Sequence, residues 1–219
     1  MKNISMKKIK KRIQLLAILA LAALLIAACA APEDQTVSEP TGAPEASVET
    51  SGASAQADRV KFSAFTARDL DGEEITEAVF SDAKLTMLNV WGTFCGPCLN
   101  EMPDLGQLAQ EYADAGVQII GLVGDVTESE EDAEAVRELV EQTKADYRHL
   151  LPSEDLQTKV LSGLMYYPTT IFIDQEGYVV DNYVIGSHSK GEWKNIIDRM
   201  MLLAQLAQQA APDSGEAAG

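Results

Sequence analysis

Short apolar runs alternate with stretches of helical periodicity between residues 60 and 209. Two of these runs are apolar enough to predict buried strands, at Leu85–Trp91 and Val117–Val123, and a further strand is expected at Thr169–Asp174. Shorter strands are expected at 60–66, 74–76, 147–151 and 178–185. Helices are expected after residue 95, at 129–144, at 154–161 and after residue 189, where Ser189 and Glu192 fit a capping box.

Turn signals connect these elements. Asp71-Gly72 is expected between the first two strands, and residues 175–177 are expected to close a hairpin. Pro103 lacks a backbone N–H and is expected to kink the helix that follows residue 95. Strands that alternate with helices and end in a hairpin and a last helix indicate an α/β fold, with a mixed central sheet flanked by helices.

The N-terminal residues have the pattern of an export signal. Six basic residues precede an apolar run at 13–28, and Cys29 follows it. Residues 25–29, Leu-Ile-Ala-Ala-Cys, resemble a bacterial lipobox, which implies a signal peptide over 1–28 and a lipid on Cys29. The alternative is an uncleaved anchor, although the apolar run is close to the lower limit of about 17 residues for a membrane span. Both interpretations place the remaining chain outside the cytoplasmic membrane, where disulfides persist.

Composition divides the rest of the chain into a domain and two flanking segments. Residues 29–58 are rich in Ala, Pro, Glu, Ser and Thr and lack aromatic residues, which predicts a disordered tether. The tail at 210–219 has a similar bias. Residues 59–209 remain for one domain, and this length is ample for a single core.

The net charge of the chain is −17. All six basic residues before Cys29 would leave with a cleaved signal, so that 11 basic and 34 acidic residues would remain. This excess of negative charge argues against binding of nucleic acid or anionic lipid through charge. It is typical of a solvated acidic surface.

The segment Cys95-Gly96-Pro97-Cys98 carries the candidate chemistry. Two cysteines with this spacing, between a predicted strand and a predicted helix, can form a disulfide that opens and closes. The field at a helix N-terminus favours a thiolate, so Cys95 is the expected attacking thiol. Cys98, one turn deeper, is the expected resolving thiol.

Other interpretations of the pair stay open at this point. The cysteines could form a permanent structural disulfide, or belong to a binding scaffold that merely retains them. A zinc site would need four ligands. Only His149 and His188 could complete it, and their spacing in the sequence does not support a zinc site. We expect no metal, and no cofactor beyond the redox-active disulfide. Both histidines are expected to be bystanders, and Asp125 to be a loop or cap residue.

Residues 88–98, Leu-Asn-Val-Trp-Gly-Thr-Phe-Cys-Gly-Pro-Cys, resemble the active-site segment of thioredoxin-fold proteins. They are most similar to the extracytoplasmic TlpA/ResA-like thiol–disulfide oxidoreductases. The resemblance extends over about residues 60–207. It implies a thioredoxin fold with an N-terminal β-hairpin and an extra helical insertion between the central strands.

The resemblance also implies roles for residues outside the cysteine pair. Pro168 matches the family's cis-proline, in a loop that faces the cysteines, so Tyr167 is expected to touch a substrate chain. Glu101 matches an acidic residue that accepts protons from the cysteines, and an exposed helix glutamate is the alternative. Asn89 occupies the position of a buried aspartate in many cytoplasmic thioredoxins, which leaves Glu101 as the candidate carboxylate.

Four residues next to the cysteines are expected to shape the site. Trp91 and Phe94 are expected to be packing residues, with Phe94 at the docking surface. Gly96 and Pro97 are expected to contact the substrate, and Pro97 also constrains the turn between the cysteines.

These features together predict a monomeric, lipid-anchored, extracytoplasmic thiol–disulfide oxidoreductase that reduces disulfides of exported proteins. No flavin or nicotinamide motif occurs in the sequence, and the resemblance implies that electrons come from a membrane thiol transporter of the CcdA/DsbD type. It names apocytochrome c and an extracellular methionine sulfoxide reductase as candidate substrates. The alternatives are an oxidant of the same fold, a thiol peroxidase and a redox-inert binding lipoprotein.

Overall fold

The computed structural model describes residues 59–210. The predicted signal, Cys29, the tether and the tail from residue 211 onward lie outside the described residues. Across residues 59–210, no helix is both long and apolar enough to span a bilayer.

Seven strands and four α-helices make up the described domain. The strands are β1 (Thr66–Arg68), β2 (Glu74–Thr76), β3 (Leu85–Trp91), β4 (Val117–Val123), β5 (Arg148–Leu150), β6 (Thr169–Asp174) and β7 (Val184–Ile185). The α-helices are α1 (Gly96–Ala113), α2 (Glu130–Thr143), α3 (Glu154–Lys159) and α4 (Lys190–Gln209). Two 3₁₀ helices, Glu77–Asp82 and Leu161–Gly163, follow β2 and α3.

Five of the strands form one mixed sheet in the order β5-β4-β3-β6-β7. The pairs β3–β4 and β4–β5 are parallel, whereas β3–β6 and β6–β7 are antiparallel. Every residue of β3 and β6 is buried, which explains why these strands are rich in apolar and β-branched residues. β1 and β2 form a separate antiparallel hairpin, and α2, β5 and α3 lie between the central strands β4 and β6 in the chain.

Both faces of the sheet are covered. On one face, Leu105 of α1 and Trp193 of α4 belong to the same buried cluster as Met87 and Phe172 of the sheet. On the other face, the N-terminal hairpin and α3 cover β3 and β4. Complete burial of a large apolar side chain contributes about 1.5–3 kcal/mol, so these two layers hold β3 firmly in place beneath α1.

Two predicted strands differ from the structure. The strand predicted at 60–66 is wrong, because β1 lies at Thr66–Arg68 and the preceding residues bury Phe62 and Phe65, three positions apart, against Phe80. Tertiary packing of the aromatic rings therefore determines the conformation of this segment, which does not follow the alternating pattern of a strand.

The strand predicted at 178–185 is wrong over most of its length, because only Val184 and Ile185 form β7. Asp174 accepts hydrogen bonds from the backbone of Glu176 and Tyr178 and so builds the turn. The backbone N–H of Val179 then donates to the carbonyl of Val60. Tyr178 and Val179 make only isolated bridges, to Lys61 and Ile173, so this segment is not a continuous strand.

Candidate active site

The two cysteines form a disulfide at the start of α1, with their Cα atoms 5.2 Å apart. Cys95 is the N-cap residue, and its sulfur accepts a hydrogen bond from the backbone N–H of Cys98 at 3.2 Å. Pro97 lies in the first helical turn, where a missing N–H costs nothing. The chain therefore leaves β3, makes one turn and enters α1 at the cysteine pair.

The two sulfurs differ in their access to solvent. Cys95 is partly exposed, and Gly96 and Pro97 beside it are exposed, whereas Cys98 is completely buried. An incoming thiolate or disulfide can therefore reach Cys95 but not Cys98. When the disulfide is open, the unpaired N–H groups and the dipole of α1 favour the thiolate at Cys95.

Glu101 lies three residues beyond Cys98 and is 3% exposed. It accepts hydrogen bonds from the side chain of Asn89 at 3.2 Å, the backbone N–H of His188 at 3.0 Å and the indole of Trp193 at 3.1 Å. Burial raises the pKa of this carboxyl, and the three hydrogen bonds partly oppose the shift. The alternative of an exposed helix glutamate is therefore wrong.

Asn89 connects Glu101 to the sheet. Its side-chain amide also donates to the hydroxyl of Thr170 at 3.1 Å, and β3 and β6 pair so that these two residues are direct neighbours. Both side chains are fully buried. Thr170 was not predicted as a site residue, although a polar residue inside a buried strand was a usable signal.

The bond between Tyr167 and Pro168 is cis. Thr169, the next residue, pairs with Val90 of β3, so the cis-proline loop lies beside the segment that leads to Cys95. The Tyr167 hydroxyl donates to the carbonyl of Gly124 at 3.2 Å. Pro168 and Cys95 thus belong to neighbouring loops at one end of the sheet.

The two aromatic residues before the cysteines behave differently. Trp91 is completely buried, as expected of a packing residue. The packing role expected for Phe94 is wrong, because its side chain is 97% exposed in the loop between β3 and α1. Met165 and Tyr166, just before the cis-proline, are also exposed, by 82% and 60%. Exposed apolar side chains therefore stand in both loops.

The two histidines have structural positions. His149 is 1% exposed, accepts a hydrogen bond from the Trp91 indole at 3.3 Å and lies 3.0 Å from the carbonyl of Ala145. Burial lowers its pKa to about 4, so the ring is neutral at physiological pH. The His188 ring packs edge-on against Trp193 at 4.9 Å between ring centres. Among residues 59–210, no three His, Cys, Asp or Glu side chains form a group that could hold a metal ion.

Asp125, directly after β4, binds the turn that leads to Cys95. Its two carboxylate oxygens accept the backbone N–H of Thr93 at 2.9 and 2.8 Å, and one of them also accepts the Thr93 hydroxyl at 3.0 Å. Sequence analysis treated Asp125 as a loop or cap residue only. The usable signal was its position, because the carboxyl ends of the parallel strands β3 and β4 lie side by side.

The chain is similar to known proteins in sequence and in structure. The AhpC/TSA family matches residues 59–182. ResA, a thiol-disulfide oxidoreductase of Bacillus cereus, is 33% identical over 138 residues, which span 62% of this chain and 74% of that protein. The thioredoxin-like protein YneN of Bacillus subtilis is 28% identical over 134 residues, which span 61% and 75% of the two chains.

Among solved structures, a thiol:disulfide interchange protein of the thioredoxin family from Chlorobium tepidum matches with a TM-score of 0.56 and 21% identity. The match covers 65% of this chain and 97% of that one. A thioredoxin domain of a thiol-disulfide oxidoreductase from Bacteroides vulgatus matches with a TM-score of 0.53 and 24% identity, over 65% and 96% of the two chains. These matches confirm the predicted thioredoxin fold.

Proposed function

The chain belongs to the AhpC/TSA family and is a ResA-like thiol–disulfide oxidoreductase of the thioredoxin superfamily, and we propose that it reduces disulfides of exported proteins while tethered to the outer side of the cytoplasmic membrane. The observation that carries this proposal is the unequal exposure of the cysteines. Cys95 is accessible at a helix N-terminus, and Cys98 is buried behind it. This arrangement suits a two-step exchange in which one sulfur meets the partner and the other releases it.

The proposed reaction begins with both cysteines reduced. The Cys95 thiolate attacks one sulfur of a substrate disulfide, a mixed disulfide forms, and the other substrate sulfur leaves as a thiolate. Cys98 then loses its proton and attacks the Cys95 sulfur. The mixed disulfide breaks, the second substrate thiolate leaves, and the Cys95–Cys98 disulfide forms. The substrate gains two electrons, which an external thiol donor must restore to the enzyme.

Glu101 is the proposed acceptor of the Cys98 proton. Residues three apart on a helix have neighbouring side chains, and both of these are buried on the inner side of α1. A carboxylate whose pKa is raised by burial is a stronger base than an exposed one. The hydrogen bonds from Asn89, His188 and Trp193 fix its position for this transfer.

The substrate chain is proposed to lie across the two exposed loops. Tyr167 and Pro168 would contact its backbone beside the cysteine that Cys95 attacks, while Gly96 and Pro97 border the same point. Phe94, Met165 and Tyr166 supply exposed apolar surface for its side chains. An extended or locally unfolded segment around a disulfide fits this surface, because such a segment can lie in both loops at once.

The cellular setting of the proposal comes from the sequence resemblance. A lipid on Cys29 would hold a monomeric domain at the membrane, and a CcdA/DsbD-type thiol transporter would supply electrons. Exported proteins with disulfides are the proposed substrates, with apocytochrome c and an extracellular methionine sulfoxide reductase as candidates. The acidic composition gives no reason to expect a nucleic-acid partner.

Replacement of the resolving thiol tests the exchange mechanism. In the full chain, Cys98→Ser should leave Cys95 able to attack but unable to release its partner, so that mixed disulfides accumulate in membranes. Mass spectrometry of non-reduced adducts identifies the partners. Cys95→Ser in the same background is the matched control and should give none. If the Cys98→Ser protein carries no adducts beyond this control, the proposed exchange mechanism is wrong.

A further inference from the structure

Two residues that follow β4, Gly124 and Asp125, contact both loops of the candidate active site. The backbone N–H of Gly124 donates to the carbonyl of Trp91 at 2.8 Å, and the Asp125 carboxylate binds the N–H and hydroxyl of Thr93. On the other side, the carbonyl of Gly124 accepts the Tyr167 hydroxyl at 3.2 Å. Gly124 and Asp125 therefore form a bridge between the turn before Cys95 and the cis-proline loop.

The bridge is tightly packed at Gly92. A Cβ atom at Gly92 would lie 3.0 Å from a carboxylate oxygen of Asp125 and 3.2 Å from the Tyr167 ring. Asp125 and Tyr167 therefore converge on the same backbone position. Gly92 also accepts the N–H of Cys95 at 3.1 Å, which closes the turn that presents the attacking sulfur. Asp125 and Cys95 are therefore both hydrogen-bonded to the same turn.

We propose that Asp125 is a positioning residue for disulfide exchange with protein substrates, because it fixes the turn that carries Cys95 at a set distance from Tyr167. This inference rests on the proposed function. A protein substrate must place its sulfur at Cys95 and its backbone at the cis-proline loop simultaneously. A small disulfide needs Cys95 alone. Loss of the Asp125 contacts with Thr93 weakens the bridge and should therefore slow reduction of proteins much more than reduction of small molecules.

The chain offers a matched control for this carboxylate. Asp132 is half-buried, whereas Asp125 is exposed, and it accepts the backbone N–H of Thr127 at 2.8 Å as well as the Thr127 hydroxyl. Its hydrogen-bond partners in the described chain, Thr127 and Ser129, lie outside the turn before Cys95. Replacing Asp132 thus removes the same kind of contact without touching the bridge.

The test compares two substrates in the full-length purified protein. Asp125→Ala should lower kcat/KM for reduction of insulin about tenfold, because a small misplacement of the reacting groups lowers the reaction rate strongly. The same substitution should change the rate constant with oxidised glutathione by less than about threefold. Asp125→Asn retains an oxygen that can accept the Thr93 N–H, so it should recover most of the insulin activity. Asp132→Ala should leave both rates within about twofold of the wild type.

Several results would overturn the inference. It is wrong if Asp125→Ala slows both substrates equally, changes neither, or produces a selectivity that Asp132→Ala reproduces. If Asp125→Ala does not accumulate as folded protein, Thr93→Val is measured in its place. This variant removes only the hydroxyl contact with Asp125 and should lower the rate of insulin reduction about threefold. Failure of the proposed function looks different, because the wild type itself would then reduce neither substrate.

Discussion

At the level of single residues, the buried carboxylate of Glu101 lies in an environment very different from water. It is 3% exposed, and the three donors that it receives offset part of the cost of placing a carboxylate in the interior. The adjacent Asn89 carbonyl oxygen is also buried and accepts no hydrogen bond from the described protein. A glutamine at position 101 could therefore donate to this oxygen after rotation of the Asn89 amide.

Glu101→Gln should remove a pH-dependent part of the stability. Because the folded-state pKa of Glu101 is raised, the folded protein holds this proton where the unfolded chain has lost it. The contribution to the free energy of unfolding is thus fully present below the ordinary glutamate range, and it is lost as pH rises through the raised pKa. Gln cannot titrate and should lack this loss.

Urea unfolding of both proteins between pH 4 and pH 8, with the disulfide intact, measures this difference. The oxidised form avoids titration of the thiols. The stability of Glu101→Gln relative to the wild type should increase with pH. A difference between the two proteins that stays constant over this range would contradict the raised pKa of Glu101.

At the scale of elements, a row of residues crosses the sheet beneath α1. Strand pairing places His149, Gly121, Asn89 and Thr170 side by side on β5, β4, β3 and β6. Gly121 has no side chain, and the space beside it is filled by the His149 ring, which accepts the Trp91 indole. The glycine of β4 therefore allows the hydrogen bond that fixes Trp91 behind the active-site turn.

Gly121→Ala should destabilise the domain by about 2–3 kcal/mol, because overpacking a core forces its neighbours to move. A Cβ atom there would overlap the His149 ring and lie 3.0 Å from the Trp91 indole nitrogen. Gly191→Ala is the control, since a Cβ atom there meets nothing within 4 Å in the first turn of α4. This substitution should stabilise by about 0.5 kcal/mol. Equal unfolding midpoints in urea for the two variants would contradict the packing described at Gly121.

Elements were predictable where the local pattern and the tertiary structure agree. β3, β4 and β6 were found at their observed bounds because strands buried on both faces are rich in apolar and β-branched residues. The capping box at Ser189 and Glu192 is present as predicted. Residues 178–183 were assigned to a strand from their β-rich composition, but they form only isolated bridges at Tyr178 and Val179.

The candidate site was predictable to a similar extent. The cysteine pair followed from spacing, and Glu101 and Pro168 followed from family resemblance. Thr170 and Asp125 did not, because their importance depends on which strand lies beside which. Phe94 was expected to be a packing residue at the docking surface, yet the loop between β3 and α1 directs it outward.

For the whole molecule, the proposed lipid anchor at Cys29 sets where the domain acts. If Cys29 is lipidated, Cys29→Ala should release or mislocalise the protein, because the lipid that holds it at the membrane cannot be attached. Fractionation followed by immunoblotting measures this directly. An unchanged membrane fraction would instead support an uncleaved anchor.

The proposed direction of electron transfer is supported by the interior of the domain. Cys98 is fully buried, and burial disfavours the negative charge of a thiolate. A dithiol whose thiolate form is poorly stabilised is a stronger reductant than one whose thiolate form is stabilised. We therefore propose that the domain acts as a reductant.

The equilibrium reduction potential of the Cys95–Cys98 pair, measured in glutathione and dithiothreitol buffers, tests this claim most directly. For a reductant, we expect a reduction potential near that of thioredoxin, about −270 mV. A value near that of DsbA, about −120 mV, would contradict it and assign the protein to disulfide formation in secreted partners.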